Sequence, residues 1–159
     1  MKKYELLVDD TITFFGVQLF RIKALISFSG IEKGEVGGYI ASEKNLSQSG
    51  NAWVDGDARV YGDAWVYGNA RVSGNAEVDG DARVSGNTDY IVFKNTWSSG
   101  RYFTYTKSNK KWRVGCFYGT GQELIEKAYK DSKKSGDFYK AYVEFVAKLE
   151  EIEKNYKEQ

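Results

Sequence analysis

The chain contains no histidine, no proline and a single cysteine. A lone cysteine excludes an intramolecular disulfide framework and a cysteine-rich zinc cluster. Without histidine, no cysteine–histidine dyad can form within the chain. Cys116 lies in the apolar stretch Val-Gly-Cys-Phe, residues 114–117, and reads as a small buried thiol. Neither sign of charge prevails: 23 basic and 22 acidic side chains leave a net charge of +1. That balance argues against general nucleic-acid binding driven by overall charge. No apolar run approaches the ~20 residues needed to cross a bilayer. In the opening Met-Lys-Lys-Tyr-Glu-Leu-Leu-Val-Asp-Asp the acids come too early for a secretory leader. The expectation is a soluble, cytoplasmic protein with no membrane partner.

What is present is a repeat. The 159 residues include 42% hydrophobic and 16% aromatic side chains, enough for a buried core rather than a disordered chain. From Asn51 to Gly86 the sequence reads NAWVDG, DARVYG, DAWVYG, NARVSG, NAEVDG, DARVSG without an insertion. Such periodicity takes precedence over local propensity. Alanine and valine stand two apart in every unit, so they share one side of a short strand and line an interior. Residues between and after them, such as Trp53 and Asp55, point outward. Glycine followed by Asn or Asp supplies each turn, since glycine tolerates positive φ and Asx side chains bond nearby backbone. Ile40 and Leu46 extend the alanine register upstream, and Thr88 and Tyr90 continue the run downstream. A stub this short has strand edges at both ends that need capping or oligomerisation.

The flanks look suited to capping. Residues 4–28 read as strands with a hairpin around Gly16, because Phe20, Ile22, Ala24, Ile26 and Phe28 alternate with Leu19, Arg21, Lys23, Leu25 and Ser27. After the repeat, Arg101–Thr106 and Lys111–Tyr118 form a hairpin turning at Ser108–Asn109. Thr120-Gly-Gln-Glu123 is a capping-box pattern that opens a helix to about Lys134. Ser135–Gly136 breaks it, and a second helix follows from Asp137. Phe138, Tyr142, Phe145, Leu149, Ile152 and Tyr156 fall on that helix at alternating spacings of four and three, an a/d seam. Two readings of the seam stay open: packing on the protein's own core, or pairing with neighbouring subunits.

Gly34-Glu-Val-Gly-Gly-Tyr-Ile, Glu43-Lys-Asn-Leu-Ser47 and Gly50-Asn-Ala-Trp-Val54 resemble bacterial and phage hexapeptide-repeat proteins, often labelled polymer-forming cytoskeletal. The tail from Trp112 to Tyr129 resembles a phage-encoded ending attached to such repeats. The resemblance implies a mainly β fold: a short left-handed parallel β-helix with N-terminal strands and a C-terminal hairpin plus two α-helices. Residues 1–38 form an N-terminal β cap, 39–92 the hexapeptide-repeat β-helix and 93–159 a C-terminal capping and oligomerisation segment. It also implies three hexapeptides per triangular coil, so that residues 18 apart stack, and a homotrimer in a bacterial host. Histidine-dependent acyltransferases and zinc-binding carbonic anhydrases share the fold, but this chain has no histidine for either chemistry. Asp57, Asp63 and Asp81 follow glycine and read as turn residues, so no metal, no cofactor and no catalytic residue is expected.

Two binding surfaces are expected. Trp53, Trp65, Tyr61 and Tyr67 project outward from one coil, and the next coil stacks Arg71 over Trp53, Arg83 over Trp65 and Glu77 under Arg59. Trp, Tyr and Arg in that setting suit either internal ladders or a contact surface. The second surface is the hairpin: between Asp89 and Glu123 there is no acid, while Lys94, Arg101, Lys107, Lys110, Lys111 and Arg113 interleave with Trp112 and other aromatics. Such a mixture suits a solvated hairpin over an aromatic core, or a site for a small anionic, nucleotide-like ligand. The reading overall is a non-catalytic, phage-encoded accessory protein antagonising host defence by binding a host protein or sequestering a nucleotide. The alternatives are a structural protein polymerising through the β-helix ends and a histidine-free acyltransferase.

Overall fold

The computed structural model describes residues 1–158. The last residue of the 93–159 segment therefore lies outside the described residues. The fold is mainly β with two helices, and it divides into two compact units, one ending at Cys116 and one starting at Phe117.

The first unit opens with β1 (Tyr4–Phe14) and β2 (Val17–Ala24), paired antiparallel. Phe15 and Gly16 both take positive φ, the two-residue turn whose twist matches a hairpin. β3 (Val36–Ile40) pairs antiparallel with β2 and parallel with the repeat. The repeat itself contributes six two-residue strands: β4 (Trp53–Val54), β5 (Arg59–Val60), β6 (Trp65–Val66), β7 (Arg71–Val72), β8 (Glu77–Val78) and β9 (Arg83–Val84). β4 pairs with β7, β5 with β8 and β6 with β9, all parallel and in a register of Trp53 to Arg71, Arg59 to Glu77 and Trp65 to Arg83. Residues 18 apart therefore stack in three ladders. Every alanine and valine of the six units is fully buried. Gly56, Gly62, Gly68, Gly74 and Gly80 turn the corners at φ between 60° and 67°.

Upstream the register differs from expectation. Ile40 pairs with Val60 and Leu46 with Val66, so both occupy the valine register, not the alanine one. The Ser47 N–H donates to Val66 O, whereas the Asn51 N–H donates to Gly68 O. Two extra residues between Ser47 and Asn51 account for the shift, absorbed in a corner where no interior side chain is needed. Downstream, Tyr90 leaves the ladders and begins β10 (Tyr90–Lys94), which pairs antiparallel with β11 (Tyr102–Thr106). β12 (Lys111–Val114) completes the expected hairpin.

Both ends of the ladders are closed by side chains of the matching polarity. In a parallel stack one end presents unpaired carbonyls and the other unpaired N–H groups. At the carbonyl end, Lys3 Nζ donates to Ala52 O at 2.6 Å and Tyr4 Oη donates to Leu46 O at 2.6 Å. At the N–H end, acceptors take over: Arg71 N donates to Asn87 Oδ1, Glu77 N to Thr104 Oγ1, Arg83 N to Ser108 Oγ and Ser85 N to Asp89 Oδ2. The hairpin thus belongs to the repeat's own unit, because it supplies two of these caps.

Capping carbonyls with an ammonium requires burying it. Lys3 is almost fully enclosed, and desolvation pushes its pKa from 10.5 down to about 8. The unfolded chain then binds more protons than the native one between those values, so stability rises with pH across that window. Chemical denaturation at a series of pH values from about 7.5 to about 9 tests this, below the range where tyrosines titrate appreciably. The wild type gains stability as pH rises, and Lys3→Met, which carries no titrating group there, shows no such slope. Parallel profiles for the two proteins would refute the assignment.

The second unit holds β13 (Phe117–Gly119), α1 (Gly121–Asp131) and α2 (Lys133–Lys157). The capping box forms as expected: Glu123 N donates to Thr120 Oγ1, and Thr120 N donates to the Glu123 carboxylate. The helix break comes earlier than Ser135–Gly136. Ser132 is extended and its hydroxyl accepts from Ser135 N, so α2 starts at Lys133 and runs through Ser135 and Gly136. Gly136 is retained inside a helix because a Cβ there would collide with the Tyr129 ring.

Candidate functional site

The four outward rings do not form one surface. The hairpin of β1 and β2 and the segment after it fold over part of the repeat's outside. Trp53 points away from the alanine–valine interior, yet it is fully buried, with Tyr4 and Phe28 edge-on at 6.5 Å and 5.5 Å. Tyr61 is buried with Leu19 and Tyr39, and Phe14 meets it edge-on at 5.6 Å. Burial drives the Tyr61 hydroxyl's pKa far up. Arg71, stacked on Trp53, turns its guanidinium to Ser29 O at 2.9 Å. Trp53, Tyr61 and Arg71 therefore leave the candidate contact surface, because the N-terminal segment already occupies them.

What remains outside is a cluster on the β6–β9 ladder. Trp65 and Tyr67 stack at 3.9 Å between centroids and 17° between planes. The Arg83 guanidinium lies 5.7 Å from the Trp65 ring, as stacking at a spacing of 18 requires. Trp65 on β6 and Tyr67 just past its end stack on one face, and Trp65 stays 37% exposed. This is a flat aromatic pair with a cation over the Trp65 ring.

The basic hairpin is organised differently from expectation. Trp112 is buried against Phe103 and Tyr105, with Phe93 edge-on at 6.0 Å, so its ring is closed to a stacking ligand. Arg113 is buried too: it pairs with Asp79 at 3.6 Å and Glu77 at 3.9 Å and lies over the Tyr61 and Phe15 rings. Glu77 also meets Arg59 at 3.8 Å, the stack expected from the repeat. Burial raises the Glu77 pKa, and Arg113 first and Arg59 second oppose that rise. At the turn, the Asn109 amide donates to Asp81, and that bond, with the nearby Lys111 and Arg83, holds the Asp81 carboxyl below its ordinary range. Arg101 and Lys110 are exposed, Lys107 and Lys111 half-buried. Through Arg113, part of the complementarity between acidic repeat and basic hairpin is thus satisfied inside one chain.

Phe14, Phe15, Arg59, Glu77 and Asp79 complete the cluster around Tyr61 and Arg113. Sequence reasoning found the Arg59–Glu77 pair from the stacking of residues 18 apart, but no local signal brings Phe14 or Arg113 to it. The other repeat acids serve turns and pairs: Asp55 accepts from Gly56 N, Asp57 pairs with Arg21 and Asp63 with Lys44. Among the described residues no group of three His, Cys, Asp or Glu is placed to hold a metal ion. Cys116 is exposed, not buried, because the tight turn at Gly115, φ 57°, carries it out of the sheet.

On α2 the seam lies open. Phe138, Phe145, Leu149, Ile152 and Tyr156 are exposed and Tyr142 is half-buried, so the seam does not serve as a core-packing face for the helix. α1 takes another side: Ile125 and Tyr129 of α1 and Val143 and Ala147 of α2 line a groove of about 770 Å³ rimmed by Lys130, Lys140 and Glu144. Among the described residues no helix is long and apolar enough to cross a membrane. No family model matches the chain, and no curated protein sequence matches it either.

Proposed function

We propose that this chain is a non-catalytic binding protein, that its repeat is a short left-handed parallel β-helix, and that its target is a protein docking on Trp65, Tyr67 and Arg83. The stacked pair left on the outside carries the reading. The stacked pair, Trp65 partly exposed and Tyr67 half-buried, with a guanidinium beside it has the composition of interface hot spots. A protein target is favoured over a nucleotide because Trp112 and Arg113, the ring and fork a nucleotide would use, are committed to the core and to Glu77 and Asp79. The ladders' capped ends leave the polymerising alternative without an open edge to extend. The repeat acids, engaged in turns and ion pairs, lend no support to a histidine-free acyltransferase. The resemblance to phage hexapeptide-repeat proteins is what supports a bacterial host protein as the target, bound in the cytoplasm by an accessory protein acting against host defence.

A photo-crosslinking amino acid at position 67, expressed in a bacterial host, tests the reading. One dominant host-protein adduct is expected, lost on adding Arg83→Glu, and absent when the same group stands at exposed Ser49. Identical adducts at both positions, or none at 67, would remove the proposal.

A further inference from the structure

The open seam of α2 has a register that selects its partner. With Tyr142, Leu149 and Tyr156 at a and Phe138, Phe145 and Ile152 at d, the flanking positions are defined. Lys148 is at g and Glu153 at e, five residues on. In a parallel, in-register coiled coil the g residue of one helix faces the e residue five positions later on its neighbour. Lys148, which pairs with Glu151 at 3.6 Å in its own helix, and Glu153, which pairs with Lys157 at 3.0 Å, then come within reach of each other between copies as exchangeable surface pairs. Val146, at the preceding e position, is buried within its own chain, so this charge pairing falls to the last heptad. An antiparallel arrangement sets g against g and e against e, so the opposite charges do not meet. Leu at a with Ile at d also shifts parallel coiled coils from two strands towards three or four.

The seam can do this without dismantling the helical hairpin. Positions two apart on a helix are about 200° apart, so Phe145 points away from Val143 and Ala147, which face α1 in the groove. Phe145 is 57% and Tyr156 72% exposed, an unusual extent of apolar surface on one helix face. The charge pattern supplies what exposure alone lacks, a reason for the partner to be this same segment. We infer that α2 joins the α2 helices of further copies of this chain in a parallel, in-register coiled coil of more than two strands. This goes beyond the Trp65 surface and does not depend on it.

Sedimentation equilibrium on the full chain is the first test: a mass three or four times the 18.0 kDa of the chain is expected. Leu149→Glu with Ile152→Glu should return the mass to that of one chain with helical circular dichroism retained, since both side chains are already exposed. Orientation is read separately. In a Cys116→Ser background, Tyr156→Cys should form an intermolecular disulfide on mild oxidation, because equivalent a positions adjoin only in a parallel register. Lys148→Glu should weaken association by roughly threefold to tenfold at low salt, and adding Glu153→Lys should restore it. A monomeric wild type, an oligomer indifferent to the seam variant, or an oligomer that forms no disulfide through position 156 would each overturn the inference. Crosslinking from position 67 in the seam variant then reports on the Trp65 surface independently.

Discussion

Trp53→Ala should destabilise the first unit by about 3–5 kcal/mol, lowering its melting temperature by roughly 12–20 °C. Trp53 is fully buried, with Tyr4 and Phe28 set edge-on against its ring, and its six-membered ring fills the space above Gly37, where a Cβ would lie 2.7 Å from it. Truncation removes the largest enclosed side chain from the junction between the N-terminal strands and the repeat. Tyr4 and Gly37 beside it lie on paired strands, which limits how far the site can collapse into the void. Trp65→Ala is the matched control, because Trp65 holds the equivalent place two hexapeptides on but stays partly exposed. Its cost should stay near 0.5–1 kcal/mol, about the value of the exposed ring stack and the Arg83 contact. Equal losses for the two variants, by thermal or chemical denaturation, would contradict the burial that separates them.

Arg113→Met should be nearly as costly, about 3–5 kcal/mol near neutral pH, because it leaves Glu77 and Asp79 partly buried without their main counter-charge. The pH dependence follows from the direction of the shift. Glu77 already titrates above the usual carboxylate value through burial, and Arg113 is the strongest influence opposing it. Without Arg113 the native state binds its proton still more tightly than the unfolded chain does. The deficit of the variant should therefore shrink as pH falls from 7 towards about 5, and grow as pH rises through that window. Adding Glu77→Gln to Arg113→Met should recover a large part of the loss at pH 7 and flatten the pH profile. A deficit independent of pH and unrelieved by Glu77→Gln would show that Arg113 acts through packing over Tyr61 and Phe15 alone.

The same contrast separates what was legible in the chain from what was not. The six-residue period put Ala and Val inside, since that follows from alternation within one short strand. Three units per coil, carried by the resemblance, then paired residues 18 apart and set Arg59 beside Glu77 and Arg83 beside Trp65. The Thr120 box and the turn near Ser108 were equally local. The two residues added between Ser47 and Asn51 were not legible, because a corner carries no hydrophobic signal and its length is seen only in the pairing of Ile40 with Val60.

Which outward residues stay exposed is a question of a different kind. Trp53 and Trp65 occupy the same place in NAWVDG and DAWVYG, and the two differences between those hexapeptides do not say which ring is covered. The first lies under residues 4–31 and the second stays at the surface, and only the path of a distant segment decides it. Arg113 likewise reads as one basic residue among several until the fold sets it against Glu77 and Asp79. The interior and the α2 seam could be read from the chain, because they depend on periodicities that each strand or helix carries alone, while the ladder spacing came with the family resemblance. Which aromatic and charged groups are enclosed in the protein's own core could not, because burial is set by chain segments far apart in sequence.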